Sequence, residues 1–155
     1  MKLLYRQAGY RDVDALFEVR SKTRENPISK ARLAEMGITH SSIVEGFELG
    51  QLYGRVCLDG KAVIGFCIGD IESGEVLVLA VLPNYEGKGI GRQLLGRVVE
   101  ELKEQGHHAP WLAADRNAAV RAHGFYRRLG WVPTGQMLEN GDEILVLDGP
   151  NRLNF

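Results

Sequence analysis

The segment that most constrains the fold is Val76-Leu77-Val78-Leu79-Ala80-Val81-Leu82-Pro83-Asn84-Tyr85-Glu86-Gly87-Lys88-Gly89-Ile90-Gly91-Arg92. Seven consecutive apolar residues suit a strand covered on both faces, and Pro83 ends it. Glycines at 87, 89 and 91 then precede Leu94, Leu95, Val98, Val99 and Leu102, whose spacing predicts an amphipathic helix from Gly89 or Ile90 to about Gln105. Strand, glycine-rich turn and helix in this order leave the first N–H groups of the helix pointing outward, at the positive end of its dipole. Glycine lets a ligand approach that backbone without a Cβ in the way. The turn therefore has the makings of an anion site suited to a pyrophosphate, with Lys88 and Arg92 as nearby cations. Two other phosphate motifs fail on the same letters. A P-loop would need glycine at Leu82 and Ser or Thr at Gly89, and a dinucleotide fingerprint would need glycine at Arg92 or Leu94.

Around this segment the chain reads as one domain over residues 1–155. Lys2–Gln7 forms a first strand, and Asp12 is placed to cap a helix running to about Lys22. Ser29–Met36 forms a short second helix ending at Gly37, and Ser42-Ile43-Val44-Glu45 has capping-box form for a third, stopping near Gly50. Strands Leu52–Leu58 and Ala62–Ile71 flank an Asp59-Gly60 turn, and Ser73-Gly74 offers the next turn. After the long helix come a strand at Trp111–Ala113, a helix at Ala118–Leu129 and a strand pair, Trp131–Gly135 with Glu143–Leu147. That order predicts a mixed α/β domain.

The formal net charge is −1, which gives no large electrostatic footprint for nucleic acid or an anionic membrane. No apolar run reaches the ~20 residues of a membrane span, and the N-terminus does not read as a signal peptide. A cytoplasmic protein is the expectation. Cys57 and Cys67 would lie about five residues apart along the Asp59-Gly60 hairpin, roughly 17 Å, too far for a disulfide. His107 and His108 are adjacent, with His40 and His123 scattered, so no metal site is expected.

The run Val81-x-Pro83-x-Tyr85-x-Gly87-x-Gly89-Ile90-Gly91 resembles the acetyl-CoA motif of GNAT-type N-acetyltransferases. Phe125-Tyr126-x-x-Leu129-Gly130-Trp131 resembles their second signature, and the element order fits their fold from about Lys2 to Leu147. The resemblance implies a single GNAT-like α/β (mixed α+β) domain: a central, mixed, mostly antiparallel, twisted sheet of six to seven strands with helices on both faces. It implies acetyl-CoA as co-substrate, with Gly87, Lys88, Gly89, Ile90, Gly91 and Arg92 at the pyrophosphate. Leu79 and Val81 would pair with the pantetheine arm, the Val81 amide would face the thioester oxygen, and Tyr126 would serve as general acid. The family usually has Gln or Arg where this chain has Glu86, and its usual asparagine position falls on Ala119, with Asn117 two residues early.

The implied reaction is acetyl transfer to an amine by direct attack on the thioester. The acceptor is a small molecule or a peptide, and homodimers are frequent among proteins of this resemblance. Glu25 and Asn26, with Arg20 and Arg24, concentrate polar groups beside Pro27 and are candidates for the acceptor pocket; a solvated loop reads equally well there. Asp70, Glu72 and Glu75 read as hairpin charges, and no base is assigned. The alternatives are a non-catalytic CoA-binding or sensing module and a protein-interaction domain.

Overall fold

The computed structural model describes residues 2–147; residue 1 and residues 148–155 of the expected domain lie outside the described residues. Strands β1 (Leu3–Gln7), β2 (Leu52–Asp59), β3 (Ala62–Asp70) and β4 (Val76–Val81) form an antiparallel sheet in that order. Strands β5 (Trp111–Ala114), β6 (Trp131–Met137) and β7 (Glu143–Leu147) form a second antiparallel sheet, ordered β5-β7-β6. A single parallel bridge, Glu75 to Trp111, joins the two where β4 meets β5. Beyond it the strands part, and β4 has an unpaired edge.

Helices cover both faces. Helix α4 (Ile90–Glu104) buries Ile90, Leu94, Leu95, Val98, Val99 and Leu102 against the side of the first sheet that carries Tyr53, Cys57, Ile64 and Cys67, as its apolar spacing requires. That core continues into Leu112, Trp131 and Leu145 of the second sheet. Gly69 of β3 makes the close approach possible: a Cβ there would stand 2.8 Å from Val98 Cγ1. On the other face, α1 (Val13–Ser21) places Leu16 and Val19 over Val56, Phe66, Ile68 and Ala80. Helices α2 (Lys30–Glu35) and α3 (His40–Glu48) close a smaller cluster with Val13, Phe17 and Leu33.

Several local expectations are corrected. Asp12 does not cap α1 with its side chain; its carboxylate accepts from the Gly9 N–H and takes both Nη groups of Arg6 at 2.8 Å. Helix α3 begins one turn earlier than expected, because Thr39 and Ser42 cap each other: each hydroxyl accepts the other's backbone N–H. The β2–β3 turn is Gly60-Lys61, with Asp59 opposite Ala62, and a bulge at Cys57/Leu58 shifts the register again. Cys57 thus faces Gly65 and Cys67 faces Arg55, two positions apart rather than five. A diagonal of roughly 7–8 Å still exceeds disulfide reach, and both thiols are free and buried.

Strand β4 is not buried along its whole length: Val76 and Ala80 are buried, but Leu77 faces the cleft and is 45% exposed. The last helix, α5 (Arg121–Arg128), starts three residues later than expected. Asn117 Oδ1 accepts from Ala119 N–H, and Val120 N–H donates to Asn117 C=O, so a side-chain turn takes the place of the first helical turn.

Asp12 is 7% exposed, and the Arg6 guanidinium, followed by the Gly9 N–H, holds its carboxyl below the usual carboxylate range despite burial. A lowered folded-state pKa contributes stability above the unfolded value near 3.9 and loses it as pH falls. Asp12→Asn is therefore expected to cost about 1–3 kcal/mol at neutral pH, measured by urea denaturation. The deficit against the wild type should shrink as pH drops below about 4.

Candidate functional site

The junction from β4 to α4 turns as its glycines require. Pro83–Tyr85 form one 3-10 turn, and Tyr85 Oη donates to Asp59 Oδ2 at 2.5 Å, tying the junction to the β2–β3 hairpin. Asp59 as acceptor raises the Tyr85 phenol above its ordinary range. Gly87 and Gly89 have φ of 76° and 80°, left-handed values that any other residue adopts at a cost. Nothing lies within 4 Å of where their Cβ atoms would be, so the space over this backbone is open. Gly89 occupies the N-cap of α4 and no side chain caps the helix. Among the described residues, the N–H groups from Gly87 to Arg92 have no backbone acceptor outside the helix's own ladder. Six consecutive amides without a backbone partner thus sit at the positive end of a fifteen-residue helix, with open space over Gly87 and Gly89.

The free edge of β4 continues this surface. Leu82 N–H donates to Ile64 C=O across β3, which makes Val81–Gly65 a non-hydrogen-bonded pair, and Leu79–Cys67 two positions on is another. In such pairs the N–H and C=O groups point away from the partner strand. Those of Val81 and Leu79 therefore face the gap toward β5. Their side chains lie on the α4 side of the sheet, whereas Val78 and Ala80 lie on the α1 side.

Gap and turn open into one cleft of about 930 Å³. Its walls are the glycine turn, β4 from Leu77 to Val81, the end of β5, the exposed face of α5 and the α1–α2 connection. It brings together Leu79, Val81, Gly87, Gly89, Ile90, Gly91, Arg92, Tyr126, Glu25 and Asn26. Lys88 is exposed and does not line it. Phe125 packs against Gly91, and Tyr126 stacks edge-on between Phe125 and Trp131, with centroids at 5.2 and 6.2 Å. Burial, then proximity to Cys67, pushes the Tyr126 phenol well above its ordinary range. Among the described residues its hydroxyl has no hydrogen-bond partner, unlike that of Tyr85, and the residue lines the cleft.

Glu86 is held by two arginines of the same cleft. Its carboxylate accepts from Arg24 Nε at 2.8 Å and pairs with Arg121 Nη1 at 2.9 Å, and its side chain is only 16% exposed. Glu25 reaches the other end of the same network, both oxygens accepting the Arg121 N–H at 2.8 and 3.1 Å at the start of α5. The α1–α2 connection is thereby fastened to the glycine turn and to the helix carrying Tyr126. Asn26 takes a left-handed φ of 51°, and its carbonyl accepts from Arg20 Nη1 at 2.7 Å. Arg121 has no marker in the sequence, since its partners lie far away along the chain.

Asn117 lines an adjoining hollow with Arg116 and residues 140 and 141; Asp115 and Asp142 are shared with the main cleft, which Asn117 itself does not line. Asp70 Oδ1 accepts the N–H groups of Glu72 and Ser73 within their turn, and the cleft begins beyond Glu75, at Leu77. His107 Nε2 lies 2.6 Å from the Ile71 carbonyl, a structural contact. No group of three or more potential metal ligands occurs among the described residues, nor any helix long and apolar enough to cross a membrane.

The acetyltransferase (GNAT) family model matches residues 13–131, most of the chain. This chain is a member of that family. A [Ribosomal protein bS18]-alanine N-acetyltransferase from Haemophilus influenzae is 30% identical over 76 residues, 48% of this chain and 51% of that protein. An amino-acid acetyltransferase from Pseudomonas putida is 29% identical over 84% of this chain and 28% of its own length. The chain thus spans about half or less of the length of these curated relatives. Among solved structures, the PaiA N-acetyltransferase of Thermoplasma acidophilum in complex with coenzyme A superposes with a TM-score of 0.77 at 21% identity, covering 94% of this chain and 98% of that one. The protein yncA of Salmonella typhimurium, with its cofactor acetyl-CoA, gives 0.67 at 22% identity over 94% and 92%. These structures share the GNAT fold with the chain.

Two glycines of this helix are expected to respond oppositely to alanine. Gly89→Ala places a Cβ at φ 80° and should lose about 1–2 kcal/mol. Gly96→Ala, mid-helix and with open space beside it, should gain up to about 1 kcal/mol. Denaturant midpoints measured side by side check both signs.

Proposed function

We propose that the chain binds acetyl-CoA in this cleft and transfers the acetyl group to an amine by direct attack. The observation that carries the reading is the continuity of outward main-chain donors from Leu79 and Val81 to the glycine turn, beside a phenol with no hydrogen-bond partner among the described residues. The amides of Gly87 to Arg92 hold the diphosphate, Arg92 adds a cation, and Lys88 contributes backbone only. Leu79 and Val81 offer strand-like hydrogen bonds to the amides of the pantetheine arm. Glu86 does not repel the diphosphate, because Arg24 and Arg121 already compensate its charge.

Bound acetyl-CoA supplies a thioester carbonyl activated toward amines. The neutral amine attacks the carbonyl carbon, forming the C–N bond as the C–S bond breaks. The Val81 N–H donates to the carbonyl oxygen while negative charge develops there, a contribution of about 3 kcal/mol where such a donor is well aimed. Tyr126 gives its proton to the departing thiolate and regains one from water, and the amine nitrogen releases its extra proton to water. The products are an N-acetylated amine and free coenzyme A. Because burial raises the Tyr126 phenol, it stays protonated throughout the working pH range, and the driving force for the transfer comes from the C–S bond breaking beside it.

The curated relatives acetylate a ribosomal-protein alanine or amino acids. A primary amine on a small molecule or peptide is accordingly the acceptor class for this chain.

Tyr126→Phe tests the assignment. The expected result is a kcat reduced by about 10²–10⁴-fold, the usual worth of a positioned acid. The acetyl-CoA KM should hold, and so should the rise in melting temperature on adding coenzyme A. Thiol release measured against pH should show no loss assignable to Tyr126 up to about pH 10 in the wild type. Unchanged turnover in the variant would remove Tyr126 from the mechanism; absence of any thermal response to coenzyme A would remove the binding site itself.

A further inference from the structure

Five arginines line the cleft, at positions 20, 24, 92, 121 and 128, and they differ in what they already hold. Arg24 and Arg121 are paired with Glu86. Arg92 belongs to the first turn of α4, at the glycine turn, and Arg128 is exposed at the end of α5. Arg20 is different. It stands on the inward face of α1, in line with Val13, Leu16 and Phe17, half-buried, at the α1 side of β4. Only Nη1 is engaged, by the Asn26 carbonyl at 2.7 Å and more distantly by Thr23 Oγ1 at 3.4 Å. No carboxylate among the described residues pairs with it, and its Nε and Nη2 donate to none of them.

A guanidinium partly removed from water and without a counter-ion is costly unless something in the cleft completes it. Burial accordingly lowers its proton affinity. The loop around it is fixed: Asn26 is held in a left-handed conformation, and its carbonyl orients the arginine by occupying one edge of the fork. The free edge, Nε with Nη2, is the edge that matches a carboxylate in two parallel hydrogen bonds.

Position selects the ligand. The amides of Leu79 and Val81 and the glycine turn serve a ligand lying along β4 and the N-terminus of α4. Arg20 reaches the cleft from the α1 layer, across the strand edge. An amine held at Arg20 would share one cleft with the Leu79 and Val81 main chain, as direct attack requires.

We infer that Arg20 binds the carboxylate of the acceptor, so that the acceptor is a free α-amino acid and not the N-terminus of a peptide. The inference rests on the transferase reading above and specifies its second substrate. The α-carboxylate sits one carbon from the amine, and the arginine thereby fixes where the nitrogen points. A peptide N-terminus carries an amide at that position and leaves the fork unpaired. The exposed apolar side chain of Leu77 lies along the same cleft and gives the amino acid's side chain a surface to cover.

The test needs the whole chain, acetyl-CoA and a thiol-release assay. A panel of L-amino acids is compared with the matching α-carboxamides, decarboxylated amines and dipeptides. The expected outcome is a kcat/KM on the order of 10- to 100-fold higher for acids than for their amides, the range for a charge-assisted bidentate contact. In Arg20→Gln that preference should collapse through acceptor KM, with acetyl-CoA KM unchanged; Arg20→Lys should restore part of it. Circular dichroism and the coenzyme-induced thermal shift establish that both variants fold. Equal use of amides or dipeptides by the wild type overturns the inference and leaves the transferase reading standing. A preference for acids that survives Arg20→Gln also overturns it. Failure of every amine to support thiol release, despite coenzyme binding, overturns both.

Discussion

The site exists because two antiparallel sheets meet at one backbone bridge and then diverge. Had the ladder between β4 and β5 continued past Glu75 and Trp111, the outward N–H and C=O groups of Leu79 and Val81 would be consumed within the sheet. Divergence leaves them unsatisfied by protein on the strand that leads into the glycine turn. Buried or half-buried backbone groups are almost always paired, so a run of unpaired ones at a cleft implies a ligand that pairs with them. Helix α4 holds the arrangement in place. It packs its apolar stripe on β2, β3 and β4, and its close approach over Gly69 fixes where its N-terminus points.

The second organising element is a chain of charges. Arg24, Glu86 and Arg121 connect a loop, a turn and a helix start that are remote in sequence, and Glu25 adds a contact to the same helix start. Each exposed pair contributes little to stability by itself. Together they set the relative position of three walls of one cleft. An acidic residue beside the glycines therefore serves to hold two cations, and the local field stays favourable to an anion.

The glycine turn was legible in the sequence because its signal is local: an apolar strand, proline, alternating glycines, then a helical stripe. Tyr126 and its neighbours followed from a second local pattern. Errors arose where two short-range options compete. Thr39 and Ser42 outdo a box at Ser42 by one turn. An Asn117 side-chain turn displaces the start of α5. A bulge at Cys57/Leu58 changes a register that turn letters alone would set differently. The exposure of Leu77 was not legible, since an apolar run does not say which of its side chains a neighbouring element covers. The ion network was invisible for a different reason: its members lie 62 and 96 positions apart, and charge pairing over such separations leaves no periodic trace.

An uncapped β-edge has a hazard as well as a use. Strand β4 presents the same hydrogen-bonding comb that draws extended chains together into fibrillar stacks. What separates a selective socket from a sticky seam here is its surroundings. This edge lines a cleft whose other walls carry guanidinium and carboxylate groups, among them Arg24, Glu86 and Arg121. Charges beside an edge strand oppose its pairing with another chain, so the residues that shape the cleft also work against edge-to-edge association.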